Sequence, residues 1–189
     1  MDGRLARGAA RRELLLDAAA RVVAGRGSAA LTHRAAAAEA GVSLASVTYH
    51  FPSAADLHRA TFEHAGSAIG LELAALVAGA AQDAAAVPAV CAGYAVRLVS
   101  ERRVETAAVF EMIVAAGHDA GLRPVARFFQ DRLTELFLPY TGDEAAARTA
   151  GAAVQGLLLT AVMSGEHSAL RGAVEDLIRR YRRREQTDD

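Results

Sequence analysis

The sequence predicts an all-α protein built from an N-terminal three-helix, helix-turn-helix domain followed by a larger helical bundle, about nine helices in all. Three observations lead there. Ala, Leu, Glu and Arg dominate, and the Val-Ile-Thr-Tyr alternation that strands need is missing. Gly and Pro fall between stretches whose apolar residues recur at helical spacing. Charge is uneven: residues 1–59 hold eight Arg against five acids, and the rest holds 13 Arg against 17 acids. A basic head on an acidic body suggests a nucleic-acid module joined to something else. The expected division is residues 1–52 for the module and 53–189 for the body.

Taken in order, Leu15, Ala19, Val22 and Val23 form the apolar stripe of a first helix from about Arg11 to Ala24, which Gly25 and Gly27 stop. Thr32 is placed to cap a second helix that runs to Ala40 and ends at Gly41. Ser43 is placed to cap a third, through His50, which Phe51-Pro52 breaks because the residue before Pro avoids the helical region. Ser53-Ala-Ala-Asp56 has capping-box form and opens a long helix reaching about Ala80, with Leu57, Thr61, His64, Ala68, Leu71, Ala75 and Ala78 on one face. Val87-Pro88 starts the next, to about Arg102. Further helices are expected over 104–116, 125–138, 143–164 and from about Leu170, with turns at Gly117–Pro124, at Pro139 with Gly142, and at Gly165. The tail from Glu185 to Asp189 is expected to fray.

With 189 residues, 52% hydrophobic and 23% charged, the chain has apolar matter for a core in one or two domains. No uninterrupted apolar run of about 18 residues appears, so a membrane-spanning helix is not expected. The Arg-rich N-terminus lacks the apolar segment of a secretory signal, and a single Cys91 excludes an internal disulfide or a Cys-based zinc cage. These absences point to the cytoplasm. Every one of the 21 basic residues is Arg, and with so much Ala this fits a GC-rich coding bias.

The stretch from Thr32 to Phe51 reads as helix, tight turn, helix. Gly41 marks the reversal, since a residue without Cβ enters the left-handed region cheaply. Val42 would plug the space between the helices, and Ala36, Ala37 and Ala40 let them approach. The second helix of the pair is short, with Ser46, Thr48, Tyr49 and His50 expected on an exposed polar face, as a helix in a major groove needs. The helix starts at Thr32 and Ser43 offer backbone N–H groups to phosphates.

On Ala18-Ala19, Gly27, Thr32, the Ala38-Glu-Ala-Gly41-Val-Ser43 turn, Tyr49-His50-Phe51, Ser53 and Leu57, residues 11–64 resemble the DNA-binding domain of the TetR family of transcriptional repressors. The resemblance implies that Thr32 and Ser43 sit on phosphates and that Leu44, Ala45, Ser46, Thr48, Tyr49 and His50 belong to a recognition helix. Thr48 stands where the family usually has a phosphate-contacting Tyr, and Ala54 where a Lys commonly neutralises a phosphate. Arg11 and Arg34, with Arg4, Arg7 and Arg12 of the arm, are expected to make up some of that loss. The partner is then a pseudo-palindromic double-stranded operator.

The family further implies a body that binds a small-molecule inducer and pairs with a second copy. Candidates around a ligand are His64, Cys91, Tyr94, Phe110, Met112, His118 and Phe128, and the scarcity of aromatics favours an apolar ligand. Ala147, Gly151, Val154 and Leu158, with Leu170, Val174, Leu177 and Tyr181, form two apolar stripes suited to a four-helix dimer interface. No HExxH, GxSxG, GxGxxG or P-loop occurs and the six His are scattered, so neither catalysis, a metal site nor a cofactor is expected. The rival is an all-helical adaptor that does not bind DNA in a sequence-specific way.

Overall fold

The computed structural model describes residues 3–79 and 85–185, with side chains described between 6 and 181. Among these residues there are nine α-helices and no strand. They are α1 Gly3–Arg26, α2 His33–Ala40, α3 Leu44–His50, α4 Ala54–Gly79, α5 Val87–Ser100, α6 Arg103–Ala115, α7 Arg123–Thr141, α8 Glu144–Ser164 and α9 Leu170–Glu185, with a 3-10 turn at Ser28–Ala30. The expected positions of Ala80 and of residues 186–189 lie outside the described residues.

The helix ends follow the capping chemistry. Thr32 Oγ1 accepts from the Ala35 amide at 3.1 Å, Ser43 Oγ from Ser46 at 3.3 Å and Asp143 Oδ2 from Ala146 at 2.7 Å. Ser53 Oγ accepts from the Asp56 amide at 3.1 Å and donates to its carboxylate at 2.7 Å. Gly41 ends α2 at φ 65°, with the Val42 amide donating to the Ala37 carbonyl at 3.0 Å, and Gly165 ends α8 at φ 73°.

Two elements differ from expectation. α1 begins at Gly3, well before Arg11. The arm's Ala, Arg and Leu are strong helix formers, and no Pro or cap interrupts them. α7 runs through Pro139 to Thr141. Pro139 forgoes the bond to the Glu135 carbonyl, and Gly142 at φ 64° ends the helix three residues later.

The chain forms two compact units. The first holds residues 1–67 and 104–126, the second 68–103 and 127–189. The division thus falls inside α4, and α6 belongs to the unit that contains α1 to α3. In the first unit α2 packs on both α1 and α3. Its core is Leu15, Leu16, Val22, Val23, Val47, Phe51, Leu57, Phe62 and Met112, all essentially inaccessible. In the second unit α9 packs against α5 and α8, burying Val87, Leu98, Val99, Val174 and Ile178. By length and composition alone α8 is apolar enough to cross a membrane, but Ala147, Ala150, Gly151, Leu158 and Ala161 are buried within the chain.

Gly41 and Gly70 both have open space where a Cβ would stand, yet only Gly41 has positive φ. Gly41→Ala is therefore expected to lower stability by about 1 kcal/mol. Gly70→Ala, inside α4, is expected to raise it by about 0.5–1 kcal/mol. Urea unfolding of the two variants checks both signs.

Candidate nucleic-acid interface

The seven residues of α3 are too few to hold a helix in water alone, so tertiary contacts must hold it. Val47 and Phe51 are its buried anchors. His33, at the first turn of α2, has its Nε2 2.7 Å from the carbonyl oxygen of Phe51, which fixes the C-terminal end of α3 against α2. The Arg12 guanidinium lies 5.4 Å from the centre of the Phe51 ring, a cation–π contact from α1. Arg21 donates to Glu39 at 2.8 Å, tying α1 to α2. From α4, His58 Nε2 meets the Leu31 carbonyl at 2.8 Å and His64 Nε2 meets Asp17 at 2.8 Å. Three histidines thus cross-link this unit, at sequence separations of 18, 27 and 47.

What α3 presents outward differs from the polar face expected. Leu44, Ala45, Thr48 and Tyr49 are exposed, Tyr49 by 83%, while Ser46 and His50 are half-buried. With Val47 anchored inward, the helical repeat turns residues 45, 48 and 49 away from the core, while Leu44, one turn before Val47 on the same side, is 42% exposed at the start of the helix. Thr48 donates its hydroxyl back to the helix, 3.3 Å from the Leu44 carbonyl and 3.2 Å from that of Ala45. Tyr49 and His50 meet edge-on, with ring centres 5.1 Å apart. In the same unit Arg7, Arg11, Arg12, Thr32, Arg34 and Ser43 are exposed, whereas the side chain of Arg4 lies outside the described residues.

The structure brings all ten expected DNA-contact residues into one unit. Sequence reasoning missed His33 and His58 as pins, because each meets a backbone carbonyl far along the chain and no spacing signals it.

The ligand candidates divide between the units. In the first, His64 is paired with Asp17, Phe110 is half-buried, Met112 is buried and His118 is exposed. In the second, Cys91 and Tyr94 are buried, and Phe128 is 55% exposed with the Arg132 guanidinium 5.2 Å from its ring centre. Burial pushes the Cys91 thiol up to about 11, which makes it inert at neutral pH.

Tyr94 belongs to a cluster that sequence reading did not find. Its hydroxyl donates to the Ile69 carbonyl at 2.9 Å and reaches Glu72 at 3.3 Å, while Glu72 accepts from Arg97 at 2.6 Å and Arg102 at 2.5 Å. Burial, and then the Glu72 charge, raise the Tyr94 phenol. Burial works to raise the Glu72 carboxyl as well. The two guanidiniums and the hydrogen bonds from Arg102 and Tyr94 outweigh it and hold that carboxyl below its usual range. Among the described residues no group of His, Cys, Asp and Glu is arranged to hold a metal ion.

Of the dimer candidates, Ala147, Gly151, Leu158, Leu170 and Val174 are buried by packing inside the chain, Gly151 facing Leu133 and Phe137 of α7. Val154, Leu177 and Tyr181 are half-buried. The outer side of α8 carries Ala152, Gly156, Leu159 and Met163, all exposed, Met163 by 78%.

A capped helix-turn-helix with cationic flanks, joined to a helical body, defines a class of DNA-binding regulators, and comparison with known proteins agrees. Residues 15–61 match the family model of bacterial regulatory proteins of the tetR family. Residues 82–184 match that of the tetracyclin repressor-like C-terminal domain. The chain belongs to the TetR family of transcriptional regulators.

A TetR-family member from Streptomyces coelicolor is 31% identical over 88% of this chain and 97% of its own, with a TM-score of 0.73. The multidrug binding protein EbrR in complex with malachite green is 31% identical over 89% of this chain and 96% of its own, with a TM-score of 0.72. Its ethidium complex is 31% identical over 88% and 98%, with a TM-score of 0.69. No curated protein sequence matches the chain.

The folded Glu72 carboxyl titrates below its ordinary 4.5. Its stabilising contribution is therefore complete above that unfolded-chain value and is lost as pH falls through the lower folded value. Glu72→Gln is expected to lower the melting temperature by about 2–4 °C at about pH 7, the effect of roughly 1 kcal/mol. The gap to the wild type should close as the pH drops through and below about 4.5. Circular dichroism melts across that range check it.

Proposed function

We propose that this TetR-family chain is a cytoplasmic repressor that grips a pseudo-palindromic operator as a homodimer and lets go when a small, mostly apolar molecule binds its body. The observation that supports DNA contact most is α3 itself. Its outer face is exposed, its inner face is locked by Val47, Phe51 and His33, and Arg11, Arg12 and Arg34 are exposed in the same unit. In this reading Leu44, Ala45, Ser46, Thr48, Tyr49 and His50 face base edges, while Thr32, Ser43, Arg11 and Arg34 contact phosphates.

The EbrR complexes support a body that accepts small organic molecules. Of the expected ligand residues, those of the second unit, Cys91, Tyr94 and Phe128, are the ones we propose near such a ligand. α4, which contributes residues to both units, is the proposed link. A coupling free energy of about 1–3 kcal/mol would change operator affinity about 5–150-fold. The chain needs no cofactor or catalytic step for this role.

Dimerisation is expected because half-sites one turn apart, roughly 34–36 Å, call for a two-fold protein. The surface we propose for it joins the half-buried Val154, Leu177 and Tyr181 to the exposed Ala152, Gly156, Leu159 and Met163. Ala147, Gly151, Leu158, Leu170 and Val174 would support it from within the chain.

Selection from fragmented genomic DNA tests the function: the purified chain should retain a small set of sequences, and metabolite extracts should release them. Retention of no specific sequence would favour the adaptor. Replacing both Arg11 and Arg34 by Ala should weaken binding about equally for all sequences. It should also lower the slope of log affinity against log salt by about two, one per phosphate contact. Light scattering at micromolar concentration should show a dimer, and replacing both Leu159 and Met163 by Glu should shift it to monomer.

A further inference from the structure

We infer that α3 reads its half-site chiefly through the methyl groups of thymine, and not through the hydrogen-bonding edges of guanine or adenine; this rests on the DNA-binding reading above. The helix is Leu44-Ala-Ser-Val-Thr-Tyr-His50 and contains no Arg, Lys, Asn, Gln, Asp or Glu. Those are the side chains that make the bidentate contacts to guanine and adenine or accept from the cytosine amino group. The exposed Arg residues of this unit lie on α1, α2, α4 and α7, outside α3.

Beside the phenol of Tyr49, what α3 exposes is chiefly apolar. Leu44 is 42% exposed, and Ala45 is exposed beside it. Thr48 spends its hydroxyl proton on the Leu44 and Ala45 carbonyls of its own helix, so it offers a base edge its methyl and an acceptor oxygen but no donor. At about 100° per residue these three side chains span only about 100° of the helix circumference. The Ser43 hydroxyl accepts from the Ser46 amide in the cap and keeps its proton for a phosphate. A branched apolar side chain left in water at the start of a short, otherwise well-anchored helix gains from a partner that removes it from water. The only apolar group on a major-groove edge is the C5-methyl of thymine.

The experiment uses the full chain and a duplex selected by it from a randomised library. Each thymidine of the recovered duplex is replaced in turn by deoxyuridine, which removes the methyl and keeps the pairing. Affinity should fall about fourfold per methyl at one or more positions in each half-site, the equivalent of one buried methyl group. Leu44→Ala should cost a similar factor on the thymidine duplex and abolish the difference between thymidine and deoxyuridine at one position. If deoxyuridine leaves affinity within about twofold everywhere while selective retention persists, methyl readout is wrong and DNA binding stands. If no duplex is selected, both readings fall. The deoxyuridine series uses the unaltered protein, so it decides the matter even where Leu44→Ala fails to fold.

Discussion

The first unit depends on how a seven-residue helix is kept in place while its outer face is left to solvent. Nucleation makes such a helix unfavourable alone, so α3 exists because its neighbours hold it. The left-handed turn at Gly41 reverses the chain, Ser43 supplies a cap, Val47 and Phe51 sink into the core, and His33 holds the carbonyl at the far end. Each device acts on the backbone or the inner face. The outer face is thereby free to vary without cost to the fold.

Much of this was legible in the sequence. Gly41, Thr32, Ser43 and Ser53 are local signals whose hydrogen bonds reach only a few residues, and all four act as read. Helix type was legible for the same reason. The early start of α1 was not, because an Ala- and Arg-rich arm has helix propensity without an apolar stripe to announce it. Nor was the passage of α7 through Pro139, where a proline signal is overridden one turn from a glycine that ends the helix more firmly.

The interface was legible as a segment but not as a face. Counting polar residues in α3 suggested Ser46 and His50 outward, whereas the depth of Val47 sets the phase that turns Ala45 out, and Leu44 is exposed at the helix start. The histidine pins and the Glu72 cluster join residues 18 to 47 positions apart, through carbonyls, an imidazole–carboxylate pair or carboxylate–guanidinium pairs, and nothing in one dimension marks them. The grouping of residues 104–126 with the N-terminal unit is another property of packing alone.

The central claim is that the outer face of α3 meets the edges of base pairs. A photo-crosslinking amino acid at position 49, whose native Tyr side chain is the most exposed large hydrophobic residue described, tests it most directly. The account predicts covalent attachment to bases of the major groove within each half-site of a retained duplex. Attachment confined to flanking backbone, or to another copy of the protein, would contradict it.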